Sequence, residues 1–229
     1  MKQKLNFLIQ PKTIAVVGAS DKQGKVGFSV MKNLISSGFP DNGDLFPINP
    51  RLDTIMGYKA YKSVLDVPKE IDLVVVCIPT SIIVDVIKEC GKKKVKGLVI
   101  ITAGFKEIGA EGTILENEIL QIAYENNIRI LGPNCLGIIS PIANASFASK
   151  QPIKGSIAMV SQSGAMMTAI LDWSISRGIG FSNFVSLGNK ADLDEVDFIE
   201  EFAEDPNTNI ILAYIESVVD GDKFLKIIP

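Results

Sequence analysis

Ile14-Ala15-Val16-Val17-Gly18-Ala19-Ser20-Asp21-Lys22-Gln23-Gly24-Lys25-Val26-Gly27 is the stretch on which the fold of this chain turns. Its opening apolar run reads as a strand buried on both faces, as in a parallel sheet. The small residues Gly18, Ala19 and Ser20 then allow a tight turn. The helix expected from Val26 aims its unpaired N–H groups and the positive end of its dipole back at that turn, where an anion would sit. The device recurs at Ile157-Ala158-Met159-Val160-Ser161-Gln162-Ser163-Gly164-Ala165. Two phosphate-sized sites in one chain point to phosphate chemistry.

Outward from these turns, apolar runs alternate with helix-period segments. Strands are expected near 13–18, 45–48, 72–78, 97–102 and 128–131, with helices near 26–37, 80–93 and 111–126. That alternation predicts a Rossmann-like, doubly wound α/β domain. Around 141–155 the periodicity lapses into small and polar residues with two prolines, which places a domain boundary there, at 1–145 and 146–229. A second alternation follows: strands at 156–160, 181–186 and 209–215, helices at 164–177 and 194–204, and an amphipathic opening at 220–228. Three strands and an unfinished crossover read as a truncated flavodoxin-like α/β domain, or one completed by another polypeptide.

Composition narrows the chemistry. The chain of 229 residues is 47% hydrophobic, with 23 basic and 26 acidic side chains spread along it. A net charge of −3 excludes a nucleic-acid or anionic-membrane surface as the expectation, so anionic ligands must be held by local geometry. No apolar run approaches the roughly 20 residues of a membrane helix, and the first ten residues lack a signal peptide's apolar core. Cys77, Cys90 and Cys135 are odd in number and without metal-like spacing, and read as reduced thiols of a soluble cytoplasmic protein. There is no histidine, so no step requiring an imidazole can be completed by these residues alone.

Within the first turn, glycines at 18, 24 and 27 miss the G-x-G-x-x-G register of a dinucleotide fingerprint, because Ala19 and Ser20 occupy it. After the second strand, Asn49-Pro50-Arg51 supplies no carboxylate for a ribose diol but does supply an arginine, which suits a phosphorylated ribose. NADP or coenzyme A fits better than NAD. Lys22, Lys25 and Lys59 are candidate helpers or plain surface charges. Pro79 ends the third strand at the sheet's carboxyl edge, where Thr80 or Ser81 is expected to cap the next helix, and Thr102 ends the fourth on the same edge. Gly132-Pro133-Asn134-Cys135-Leu136-Gly137 follows the fifth strand and is too rich in conformationally special residues for a plain connection. Without histidine to activate it, Cys135 reads as a packed or ligand-lining thiol.

Taken in order and separation, Gly18-Ala19-Ser20, Asn49-Pro50, Gly132-Pro133-Asn134-Cys135-Leu136-Gly137 and Val160-Ser161-Gln162-Ser163-Gly164 resemble the CoA-binding and first ligase domains of the NDP-forming acyl-CoA synthetases. Leu136, Gln162 and Ser186-Leu187-Gly188-Asn189-Lys190-Ala191-Asp192 are more similar to the acetyl-CoA branch than to the succinyl branch. The resemblance implies an acid-thiol ligase that interconverts acyl-CoA, ADP and phosphate with carboxylate, CoA and ATP. It implies CoA contacts at Gly18, Ala19, Ser20, Lys22, Gln23, Lys25, Asn49, Arg51, Pro79, Thr102, Asn134 and Cys135. It implies a phosphoryl cradle at Ser161, Gln162, Ser163 and Gly164. Asn134, Ser161, Ser163 and Glu216 would be catalytic, Glu216 by orienting a phosphohistidine that lies beyond residue 229. Expected ligands and partners are CoA, acyl-CoA, phosphate and an ATP-grasp β subunit or fused domain in an oligomer. The resemblance places no metal in this chain, and Mg²⁺ would serve only the nucleotide in the ATP-grasp part. Two rival readings are a non-catalytic CoA-binding module of a protein acyltransferase and an NADP-dependent reductase.

Overall fold

The computed structural model describes residues 4–227. The first three residues of the N-terminal stretch and Ile228, the end of the amphipathic run expected at 220–228, lie outside them. The first domain contains, in order, α1 (Asn6–Ile9), β1 (Thr13–Val17), α2 (Val26–Ser36), α3 (Phe39–Asn42), β2 (Asp44–Ile48), β3 (Thr54–Ile55), β4 (Tyr58–Lys59), β5 (Leu73–Val76), α4 (Ile83–Lys93), β6 (Gly97–Ile100), α5 (Ala110–Glu125) and β7 (Arg129–Leu131). The second contains β8 (Gly137–Ile139), β9 (Asn144–Ser146), β10 (Ile153–Ser161), α6 (Gly164–Arg177), β11 (Gly180–Ser186), α7 (Glu195–Ala203), β12 (Ile210–Tyr214) and α8 (Gly221–Ile227).

Five parallel strands in the order β2-β1-β5-β6-β7 form the first sheet. The four residues of β5 and of β6 are all buried, which is why those runs are uniformly apolar. The chain leaves β1 for one side of the sheet at β2 and returns to its other side at β5. That reversal opens a crevice at the carboxyl ends of β1 and β5, the place where such sheets bind ligands. In the second sheet, β12-β10-β11-β8-β9, the reversal falls on β10, between β11 and β12. Both strand-turn-helix units sit at these two reversals.

The structure is Rossmann-like followed by flavodoxin-like α/β, as expected, but it corrects several details. The stretch 141–155, expected to be aperiodic, holds β9 and the start of β10; β9 pairs antiparallel with β8, just before that stretch, and β8 pairs antiparallel with β11. Sheet membership therefore changes between Leu131 and Gly137, ahead of the 145/146 division read from the sequence. Three-residue strands with no period leave no signal, and only pairing in the sheet, β8 with β11 and β9 with β8, makes them strands. The hairpin β3–β4 and the single turns α1 and α3 escape a periodicity reading for the same reason. Thr80 and Ser81 do not cap α4: neither that helix nor the 3-10 turn before it has a side-chain cap. Ser163 does cap α6, accepting from the Met166 N–H at 3.2 Å, and Asp194 and Asp197 form a reciprocal capping box on α7.

One continuous apolar core joins the two domains, running from Ile14, Val16, Val75 and Val99 to Ala158, Val160, Val185 and Phe198. Polar clamps reinforce it. Asn33 Nδ2 of α2 donates to the carbonyls of Ser146 and Ala148, and Arg129 Nε meets both oxygens of Asp192 at 3.1 and 2.9 Å. The Asp192 carboxylate also accepts from the Ile130 N–H at 2.7 Å. Among the described residues no helix is long and apolar enough to cross a membrane.

Candidate functional site

Gly18 lies at φ +89°, and a Cβ on it would stand 2.4 Å from the Cys77 carbonyl oxygen. A Cβ on Gly27 would stand 2.0 Å from the Gly18 oxygen. Glycine at both positions lets β1, β5 and the start of α2 converge, so the backbone of the first turn is pressed into the crevice. Asn49 closes the turn from the side. Its Nδ2 donates to the Ala19 carbonyl at 2.9 Å and its Oδ1 accepts from the Arg51 N–H at 2.9 Å, so its amide is committed to shaping the loop. Ser20 is engaged locally, its Oγ accepting from the Lys22 N–H at 3.0 Å. Asp21 accepts from the Met56 N–H at 2.7 Å and ties the turn to the β3–β4 hairpin. Lys22, Gln23 and Lys25 are exposed beside it, as is Arg51 after β2.

The helix termini differ in charge. The first turns of α2 and α6 contain no acidic residue, and α2 has no side-chain cap. By contrast, the α7 terminus is filled by its own Asp194, Glu195 and Asp197. Only the former two leave positive dipole ends for an outside anion.

At the second turn, Ser161 is fully buried. Its Oγ accepts from the Ser163 N–H at 3.1 Å and donates to the Ser163 carbonyl at 2.8 Å, which shapes the turn from within. Gln162 reaches across to the end of β12, its Oε1 accepting from the Glu216 and Ser217 N–H groups at 2.5 and 2.9 Å. The Glu216 backbone is thereby pinned next to the turn.

A cleft of about 720 Å³ opens between the domains. Ile78, Thr102, Asn134 and Cys135 line it from the first domain and Gln162, Gly164 and Thr168 from the second, while Val26 at the start of α2 borders it. Thr102 organises this wall. Its Oγ1 donates to the Ile78 carbonyl at 2.7 Å, and its own carbonyl accepts the Asn134 N–H at 3.0 Å. Gly132–Pro133 is a cis peptide, and Asn134 has φ +56°. The cleft thus gathers Thr102, Asn134, Cys135, Gln162 and Gly164. Gly18 abuts its wall, a Cβ there falling 3.0 Å from the Ile78 side chain, Pro79 follows Ile78 in sequence, and the Glu216 N–H is held by Gln162, whereas Ser20, Lys22, Lys25 and Arg51 are not among the residues that line it. A larger groove of about 950 Å³ along α5, Arg129 and Asp192 contains none of the expected site residues.

Cys135 is buried, its Sγ donating to the Ile100 carbonyl at 3.4 Å, and burial pushes its thiol up to about 12. Burial, with the neighbouring Cys135, raises the Cys77 thiol as well. At a pKa of about 12, roughly one Cys135 in 10⁴ carries the thiolate at pH 8, rising tenfold per pH unit. Iodoacetamide at pH 8 is therefore expected to leave Cys135 unmodified in the folded protein and to label it after denaturation, as read by peptide mass spectrometry. Rapid native-state labelling would contradict the packed-thiol reading.

The residues 187–193 after β11 were not expected at the site. They lie along the Gly-Pro-Asn-Cys loop in the manner of an added strand, with the N–H groups of Asn189, Ala191 and Leu193 donating to the carbonyls of Pro133, Gly132 and Ile130 at 2.8, 3.0 and 3.1 Å. The polar run Gly188-Asn189-Lys190-Ala191-Asp192, placed directly after a strand at a carboxyl edge, is the signal that marks them. Asn189 Nδ2 donates to Glu107 at 2.6 Å and Glu116 at 2.9 Å. Burial works to raise the Glu107 carboxyl, but hydrogen bonds from Asn189, Gly104 and Phe105 outweigh it and hold the group below its usual range.

The sequence of residues 12–141 matches the family model described as a CoA binding domain, and 154–229 the one described as a succinyl-CoA ligase like flavodoxin domain. The ADP-forming acetate–CoA ligase I of Archaeoglobus fulgidus is 46% identical over 96% of this chain and 32% of its own length. The α subunit of ADP-forming acetate–CoA ligase I from Pyrococcus furiosus is 42% identical over 97% of this chain and 49% of its own. Acetyl-coenzyme A synthetase 1 of Ca. Korarchaeum cryptofilum, solved with phosphate and ADP, superimposes with a TM-score of 0.93 at 42% identity, covering 97% of this chain and 48% of that one. The chain spans about a third to a half of the length of these relatives. With its crevice at the β1–β5 reversal and the turn before α6 facing the same cleft, the chain belongs to the CoA binding domain family, joined to a succinyl-CoA ligase like flavodoxin domain in the arrangement of the ADP-forming acyl-CoA synthetases.

Proposed function

We infer that this chain is the CoA-binding and first ligase-like part of an ADP-forming acyl-CoA synthetase. The observation that carries the reading is the interdomain cleft, lined at once by the Gly-Pro-Asn-Cys loop and by the start of α6. CoA lies with its phosphates at the Gly18–Lys25 turn and Arg51, and its thiol end at Asn134 and Cys135. Phosphate lies at the amides opening α6, where Ser163 and Gly164 start the helix. A phosphate oxygen then attacks the thioester carbon, the C–S bond breaks, and CoA leaves as the thiolate that takes up a proton, giving acyl phosphate. Asn134 is placed to hydrogen-bond the acyl oxygen as charge develops on it. Ser161 and Gln162 act by holding the turn and the Glu216 strand end rather than by touching phosphate with their side chains. The chain has no histidine, so onward transfer of the phosphoryl group to ADP requires a phosphohistidine and an ATP-grasp partner with Mg²⁺ from outside these residues, with Glu216 facing that histidine. The protein works in the cytoplasm, and its division of labour falls near residue 145, CoA before it and phosphate after.

Titration calorimetry of this chain with CoA and with NADP tests the reading. CoA is expected to bind at least about tenfold more tightly than NADP, a difference of roughly 1.4 kcal/mol. Equal or tighter NADP binding would replace the ligase reading by a reductase one.

A further inference from the structure

We propose that Asn189 is a positioning residue that fixes the polarity of the Asn134 amide in the cleft, on instruction from Glu107 and Glu116. This rests on the CoA reading above and deepens it. Asn189 comes from the second domain, yet its half-buried side chain hydrogen-bonds to Glu107, Glu116 and Asn134 of the first. Its Nδ2 is held by two carboxylates, Glu107 at 2.6 Å and Glu116 at 2.9 Å, and Glu116 is itself buried and paired with Lys106 at 3.3 Å. Carboxylates only accept, so they select which end of the Asn189 amide faces them. The other end, Oδ1, must then face Asn134, whose Nδ2 donates to it at 3.4 Å, a long bond in this arrangement.

An asparagine amide has two nearly isosteric orientations, and a free Asn134 at the cleft wall would populate both. With Asn189 Oδ1 beside it, the orientation that points the Asn134 carbonyl at another carbonyl oxygen is penalised. One Asn134 N–H is thus spent on Asn189, leaving the second N–H as a donor of fixed direction. The backbone is held independently, through the Asn189 N–H on the Pro133 carbonyl, so removing the amide leaves the loop in place. A thioester carbonyl at the acyl position can only accept and is the group that benefits. Free CoA has no such carbonyl. The chain Glu107/Glu116 to Asn189 to Asn134 therefore favours acylated over free coenzyme.

The test is a double-mutant cycle on the ratio of acetyl-CoA to CoA affinity, measured by calorimetry for wild type, Asn189→Ala, Asn134→Ala and the double variant. Asn189→Ala is expected to lower the ratio about fivefold with CoA affinity itself nearly unchanged, and to have no further effect in the Asn134→Ala background. Asn189→Ser, whose hydroxyl is too short to bridge the carboxylates and Asn134, is expected to act alike and serves if the alanine variant does not fold. An unchanged ratio in the single variants, or effects that add in the double, would overturn the proposal and reduce Asn189 to domain glue. Failure of the wild-type chain to bind CoA at all would instead overturn the CoA reading beneath it.

Discussion

Lys190→Met is expected to destabilise the protein by about 3–5 kcal/mol, the scale for removing one partner of a buried ion pair. Lys190 is 7% exposed, and its Nζ lies 2.9 Å from Oε2 of Glu195, which is fully buried. The same ammonium donates to the Ser217 carbonyl, so it secures the end of β12 that Gln162 holds from the other side. Glu195 Oε1 already has no hydrogen-bond partner, and methionine at 190 would leave the whole carboxylate uncompensated. For a chain of this size the loss corresponds to a melting temperature lower by roughly 10 °C. The double variant Lys190→Met with Glu195→Leu is expected to recover most of that loss, since an apolar pair of similar volume removes the desolvation cost on both sides. Thermal denaturation followed by circular dichroism reads both effects. A single variant that melts within 2 °C of wild type would mean that the pair is solvated in solution.

The second large effect is expected at the first turn. Gly18→Val places a branched side chain where even a Cβ would lie 2.4 Å from the Cys77 oxygen, at a φ of +89° that valine rarely adopts. Gly27→Ala drives a methyl group toward the Gly18 oxygen at 2.0 Å. Either contact forces β1, β5 and α2 apart, at a cost of about 3 kcal/mol from overpacking and backbone strain together. CoA affinity is expected to fall by more than about a hundredfold, because the amides of the turn lose their common direction. Gly24 separates geometry from glycine content. It has φ +83° but nothing within 4 Å of a Cβ, so Gly24→Ala should cost only the backbone term and retain most of the binding. Since one apolar core joins the two domains, the Gly18 and Gly27 variants are expected to melt in a single transition at lower temperature. Wild-type CoA affinity in Gly18→Val would place the coenzyme elsewhere.

How much of this was legible beforehand follows from the range of each interaction. The strands β1, β5 and β6 and the buried carboxyl half of β10 announce themselves as apolar runs, and α2, α4, α5 and α6 as helical periods, because burial imprints a local pattern on its own segment. The cluster Gly132–Gly137 stands out in the sequence because its backbone conformation restricts residue type. The expected capping of α4 by Thr80 or Ser81 was wrong for an equally local reason: a 3-10 turn starting at Thr80 intervenes, and the helix opens at Ile83 without a side-chain cap. The turn Ser161-Gln162-Ser163-Gly164 is a local pattern and is legible in the sequence, whereas the reach of the Gln162 amide to the Glu216 and Ser217 N–H groups is not.

The amino-acid order alone determined that there would be two strand-turn-helix units with open helix starts, since glycine, small residues and apolar runs act over a few positions. Only the tertiary structure decided that both units would face one cleft, that 137–146 would leave the first sheet for the second, and that Asn189 would reach Glu107, Glu116 and Asn134 across 82, 73 and 55 residues. Those outcomes depend on hydrogen bonds and apolar contacts between segments far apart in the chain, which stabilise the fold without imposing a period on either partner.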